Sequence, residues 1–157
     1  MTTNDGSPHP PSFMLAALGA VVFVSLIITG DAITSVMTAT NVIEVPNASP
    51  LIPIVAIGAA TVVWGLIVIR GIRRRGSFGT ATIAGLLASL AYLAGLFFSS
   101  LGSGIAAAAV VTHNMVNGYT LVVLIAGVVT AAATLALSRA SGETPQWPWE
   151  QHSDDDE

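Results

Sequence analysis

Residues 49–99 read SPLIPIVAIGAATVVWGLIVIRGIRRRGSFGTATIAGLLASLAYLAGLFFS, and this stretch decides the fold. Two apolar runs flank a short basic turn, and at about 1.5 Å per residue each run, as a helix, reaches across a hydrocarbon core of about 30 Å. Ser49 is placed to cap the first run, Pro50 sits where a missing N–H costs nothing, and Pro53 still falls in the first turn of a helix that continues through Ile69. Gly71 and Gly76 bracket the turn, and Ser77 is placed to cap the second run. A connection this short leaves an antiparallel hairpin as the only arrangement.

On the N-terminal side, residues 1–11, MTTNDGSPHPP, contain no apolar run to pack and read as a tail. No positive charge precedes Phe13, so the run that follows reads as a retained membrane helix rather than a cleaved signal. Ser12 can cap it and Gly30 can end it. The alternative is a longer, tilted helix, because Ile33, Val36 and Met37 keep helical spacing; it would carry Asp31 near the interface. On the C-terminal side, Leu101 to Leu137 is too long for one crossing. The break belongs at Thr112, His113, Asn114, Asn117 and Gly118, leaving Gly104–Val111 as a helical extension or interfacial segment.

The expected fold is therefore all-α: a polytopic membrane protein with four transmembrane helices at about 13–30, 51–70, 78–99 and 117–138 in an antiparallel bundle. Residues 12–139 form the membrane domain, and an acidic tail occupies 140–157. Composition agrees. Hydrophobic residues make up 53% and charged residues 9%, against about 25% charged in an ordinary soluble domain. Mean hydropathy is +0.76. With Cys 0, disulfides, thiolate metal sites and cysteine nucleophiles are excluded. A net charge of −4 removes the electrostatic basis for nucleic-acid binding. No phosphate-binding, dinucleotide-binding, H-E-x-x-H or nucleophile-elbow motif occurs, so neither an enzyme nor a cofactor is expected.

The distribution of Arg fixes an expected orientation. Arg70, Arg73, Arg74 and Arg75 lie between the second and third helices, Arg139 follows the fourth, and the other two loops have no Arg or Lys. The positive-inside rule then puts both termini and the Arg turn in the cytoplasm and the protein in the cell membrane. The Arg residues either fix topology alone or also bind anionic headgroups. Phe13, Trp64 and Phe78 are expected near the cytoplasmic boundary and Phe97, Phe98 and Tyr119 near the outer one, with Trp147 and Trp149 of the tail as further interfacial anchors. Tyr92 lies deeper and needs a hydroxyl partner.

Small residues recur at four-residue spacing as Ala81, Gly85 and Ser89, and again around Gly95, with Gly127 and Ala131 on the fourth helix. They allow close helix packing, within the bundle or between copies. Asp31 and His113 form a candidate polar site on the outer side, with Glu44 near by, but no metal-ligand spacing is present. The apolar cores contain no ionisable residue on this reading.

The layout resembles the small four-helix membrane proteins of unassigned function found in high-GC Gram-positive bacteria. The resemblance rests on the Pro-flanked outer segment Val45–Pro53, the Arg-Gly-Ile-Arg-Arg-Arg turn and the acidic tail with its two Trp, and covers residues 12–139. It implies a fold and a compartment and transfers no site residues. The expected role is a non-catalytic accessory or scaffold component of a membrane assembly, with the bilayer and a membrane-protein partner or a second copy as its contacts. The alternative is a small transporter or channel acting as an oligomer.

Overall fold

The computed structural model describes residues 12–43, 49–74 and 76–140. Five helices follow one another: α1 (Ser12–Thr38), α2 (Leu51–Arg73), α3 (Phe78–Gly102), α4 (Ala107–Val116) and α5 (Tyr119–Ala140). Four of them, all but α4, are long and apolar enough to cross a membrane, and no strand occurs among the described residues. The shortest of the four has 22 residues, about 33 Å at the helical rise, which exceeds the hydrocarbon thickness. This is the all-α, four-span architecture expected from the sequence, and the chain is a multi-pass membrane protein.

The bundle is built by neighbour packing of α2 on α3, α3 on α5, α5 on α1 and α1 on α2. No direct contact joins α1 to α3, so these two occupy opposite corners. Small residues set the spacing. A Cβ on Gly127 would lie 2.8 Å from the Gly85 Cα, and one on Gly95 would lie 2.7 Å from the Ala56 Cα. Backbone meets backbone at both places, and this is where the small-residue faces are used. Ala81, Gly85, Ser89, Gly95, Gly127 and Ala131 are all buried inside the bundle. Larger side chains fill the remainder: Phe23, Ile27, Ile52, Trp64, Val68, Leu96 and Val123 are fully or almost fully buried.

The helix bounds and caps refine the expectations. Of the two readings of the first helix the longer one holds: it does not stop at Gly30 but continues to Thr38, where Ala39 takes a left-handed conformation at φ 52° and turns the chain. Gly30 serves instead as a close-approach point, since any Cβ there would collide with Val122 of α5. The segment after Gly104, whose φ of 70° suits glycine, is a separate helix. At 10 residues, or about 15 Å, α4 cannot span; it packs on α3 and α5 with Ala107, Val110 and Asn114 turned inward. The expected N-cap at Ser77 is occupied without a side-chain cap bond, whereas the Ser49 hydroxyl accepts the Leu51 N–H at 3.3 Å.

Trp64 is not an interfacial anchor. It is fully buried, stacked on Phe23 with ring centroids 5.3 Å apart, and donates its indole N–H to the Gly127 carbonyl at 3.0 Å. Distance along the chain from the Arg turn suggests the boundary, but Ala60, Trp64 and Val68 follow the four-residue helical repeat, which turns all three inward. Tyr119 is likewise buried rather than at the lipid boundary. Phe13 and Phe78, by contrast, are exposed at the Arg end.

Candidate functional site

Ser89, Thr130 and Thr134 bond to carbonyls of their own helices, whereas a cluster of polar residues that join different segments lies at the end opposite the Arg turn. Three consecutive carbonyls of the segment after α1 are each held by a side chain from α4 or α5. Tyr119 donates to Thr40 at 2.8 Å, Asn114 donates to Val42 at 2.9 Å, and His113 Nε2 lies 2.8 Å from the Asn41 oxygen. The Asn117 amide approaches His113 Nδ1 at 3.1 Å, so Nδ1 accepts and Nε2 carries the hydrogen that Asn41 accepts. The chain at Thr40–Val42 is thereby strapped across this end of the bundle.

Beneath the strap the fully buried Asn114 extends the network inward. Its Oδ1 accepts from the Tyr92 hydroxyl at 3.2 Å, and its amide also reaches the Val110 carbonyl at 3.0 Å. The polar partner that Tyr92 requires is therefore supplied by the short helix, from the same residue that fastens the strap at Val42. Burying these groups is tolerable because they are paired.

Asp31 is the exception. It lies on α1 at the four-residue repeat Phe23, Ile27, Asp31, the stripe that faces the bundle, and is 8% exposed. The sequence expectation that the spans hold no ionisable residue fails here, because α1 runs about 10 Å beyond Asp31. Gly30 opposite Val122 and Gly19 opposite Thr134 set the antiparallel register of α1 and α5, placing Asp31 within the depth of α5. Its Oδ1 is buried and has no hydrogen-bond partner among the described residues. The carboxylate and the Tyr119 hydroxyl both lie within electrostatic range of the Tyr92 hydroxyl. Two further buried hydroxyls lack partners, Ser100 in the last turn of α3 and Thr120 in the first turn of α5. All three orphaned oxygens belong to the strap end.

His113 does not join Asp31, since its ring nitrogens are engaged by Asn41 and Asn117. Among the described residues, Asp31 is the only acid, and no group of three or more His, Cys, Asp or Glu could hold a metal ion. Glu44, Arg75, Trp147 and Trp149 lie outside the described residues. At the opposite end, Arg139 donates to the Gly76 carbonyl, fastening α5 to the α2–α3 turn, while Arg70, Arg73 and Arg74 are exposed.

A family model described as a family of unknown function, DUF6121, matches residues 11–157. The chain belongs to that family. No curated protein and no solved structure matches it. Membership in DUF6121 fits the resemblance to uncharacterised four-helix membrane proteins and covers the whole bundle, the strap and α4 together.

The sequence points to Asp31, Asn41, His113, Asn114 and Asn117 as polar residues on one side of the bundle, but not to Tyr119, Thr40 or the strap that makes the site an enclosure. The strap is held through backbone carbonyls, which leave no residue-type signature. The polar run Thr112–Gly118 is the available signal; it marks a helix break and also supplies the network.

Proposed function

We propose that this protein is a small transporter of the cell membrane, acting as an oligomer, in which Asp31 takes up a proton or a cationic solute. The single observation that carries the reading is an acid held inside a membrane-spanning helix, facing the bundle, with a buried oxygen that no described residue pairs. An ionisable group at such a position is costly, so it persists where a bound proton or cation is part of the protein's work. Tyr92, Asn114 and Tyr119 supply further oxygens at the same end, and the strap lies over them. The proposal assigns no catalytic chemistry. With both termini and the Arg turn in the cytoplasm, as the positive-inside rule implies, Asp31 lies at the outer end of the bundle, under the strap.

The test is reconstitution of the full chain into proteoliposomes with an imposed pH gradient, reading internal pH with an entrapped dye as small cationic solutes are added. Solute-dependent dissipation by the wild type, abolished in Asp31→Asn and partly retained in Asp31→Glu, supports transport. Equal behaviour of wild type and Asp31→Asn refutes it.

A second reading, an accessory component of a membrane assembly, draws on a different feature. An apolar groove of about 150 Å³ runs between α1 and α5, lined by Leu15, Leu18, Val22, Leu26, Val129 and Ala133. Mild-detergent purification from native membranes discriminates, because recovery of the chain without a stoichiometric partner removes this reading.

A further inference from the structure

The Arg residues of the turn are not equivalent. Arg70 and Arg74 are four apart at the end of α2 and line one side of a cavity of about 330 Å³, while Thr80 of α3 lines the other and Gly76 its rim. Arg73 lies on a different face and takes no part. One helical turn deeper, Ile67 and Ile83 continue the same cavity as apolar walls. The cavity is therefore basic at its mouth and apolar toward the membrane interior. Its rim is fixed rather than loose. The Gly76 N–H donates to the Gly71 carbonyl at 2.7 Å, and the Gly76 carbonyl is held by Arg139.

No described carboxylate neutralises this mouth, because the only described acid, Asp31, belongs to the strap end. The α3 N-terminus, with the first-turn N–H groups ahead of Thr80, adds partial positive charge on the same side. We infer that this cavity binds an anionic phospholipid of the leaflet facing the Arg turn, with Arg70 and Arg74 on its phosphate and Ile67 and Ile83 against the upper part of its acyl chains. A guanidinium pair matches the oxygens of a phosphate. The apolar continuation selects a lipid over a free anion, since inorganic phosphate gains nothing from Ile67 or Ile83. The acidic tail offers carboxylates without an acyl chain and fits the mouth alone. This inference stands on the α2–α3 end and is independent of the reading given to Asp31.

Native mass spectrometry of the full chain tests it, with phosphatidylglycerol, phosphatidylcholine or inorganic phosphate added in mild detergent. Phosphatidylglycerol should be retained preferentially, and Arg70→Gln and Arg74→Gln should each weaken that retention about fivefold, whereas Arg73→Gln should leave it within about twofold. Arg70→Lys keeps the charge but not the guanidinium fork and should fall between the wild type and Arg70→Gln, which separates lost binding from lost folding. Equal weakening by all three Gln variants would mean a diffuse surface charge and overturn the inference. Displacement of the lipid by inorganic phosphate at matched concentration would mean a free-anion site and overturn it as well. Binding that appears only after removal of residues 141–157 would identify the tail as the occupant and likewise overturn it.

Discussion

The indole N–H of Trp64 on α2 donates to the main-chain carbonyl of Gly127 on α5 at 3.0 Å, across the middle of the bundle. The same ring stacks on Phe23, so one side chain ties α1, α2 and α5 together. The ring has room there because Gly19 of α1 has no side chain: a Cβ on it would lie 2.8 Å from the Trp64 indole. Trp64→Phe should keep most of the packing, lose the hydrogen bond and cost about 1 kcal/mol; Trp64→Ala should cost about 3–5 kcal/mol. Thermal unfolding in detergent reads both. Equal, negligible shifts would mean that Trp64 does not join the helices.

Close approach of α3 and α5 at Gly85 and Gly127 makes a second prediction. A methyl on Gly127 meets the Gly85 Cα at 2.8 Å, and backbone on both sides leaves nothing flexible to yield. Gly127→Ala should cost about 1–3 kcal/mol as the helices are pushed apart. Gly65 on α2 has open space around its Cβ position, so Gly65→Ala should leave the melting temperature unchanged or slightly raised. Matched losses at both positions would contradict packing as the cause.

Apolar length and Arg placement make the four spans and their antiparallel order legible in the sequence. What stays illegible is set by helix rotation and by main-chain acceptors. Trp64 reads as a boundary residue because linear distance from Arg70 says nothing about which way position 64 faces. Gly30 reads as a terminator because glycine serves both helix ends and close contacts, and only Val122 on another helix shows which. Asp31 reads as a loop residue for the same reason, and with its burial goes the argument that the spans are free of charge. Asn114 is visibly polar, but its task of holding Val42 and Tyr92 depends on a strap that has no sequence signature.

That strap should open in stages. Asn114 holds the Val42 carbonyl and the Tyr92 hydroxyl together, whereas Tyr119 reaches only Thr40, whose carbonyl also accepts from the Ser35 hydroxyl of α1. The chain has no cysteine, so Asn41→Cys introduces a single reporter whose main-chain carbonyl is kept. Thiol labelling of that reporter should accelerate strongly with Asn114→Ala and only modestly with Tyr119→Phe. The reverse order would show that the buried amide does not fasten the segment.

Arg139 reaches the Gly76 carbonyl, so the end of α5 and the α2–α3 turn lie on the same side of the bundle whichever way the protein is inserted. Compartment reporters inserted at Gly76 and fused after Glu157 should therefore agree with each other. On the positive-inside rule both reporters should read as cytoplasmic. Opposite signals from the two positions would be incompatible with the bundle itself.

A site kept for function rather than for folding should reveal itself by what its removal does to stability. Asp31 contributes no hydrogen bond from its buried Oδ1 and has no described cation beside it, so it takes a polar group out of water without compensation. Replacing an uncompensated buried polar group with an apolar one is neutral to stabilising, and active sites commonly trade stability in this way. Asp31→Leu should therefore raise the detergent unfolding temperature, by an amount corresponding to about 1–3 kcal/mol, and Asp31→Asn should raise it less because the amide stays polar. Both should abolish the solute-coupled proton signal. A structural Asp31 predicts the opposite pairing, with the melting temperature falling in both variants and any flux lost only in proportion to the folded protein recovered. The two signs of the shift separate a carboxylate held for ligand uptake from one that the fold depends on.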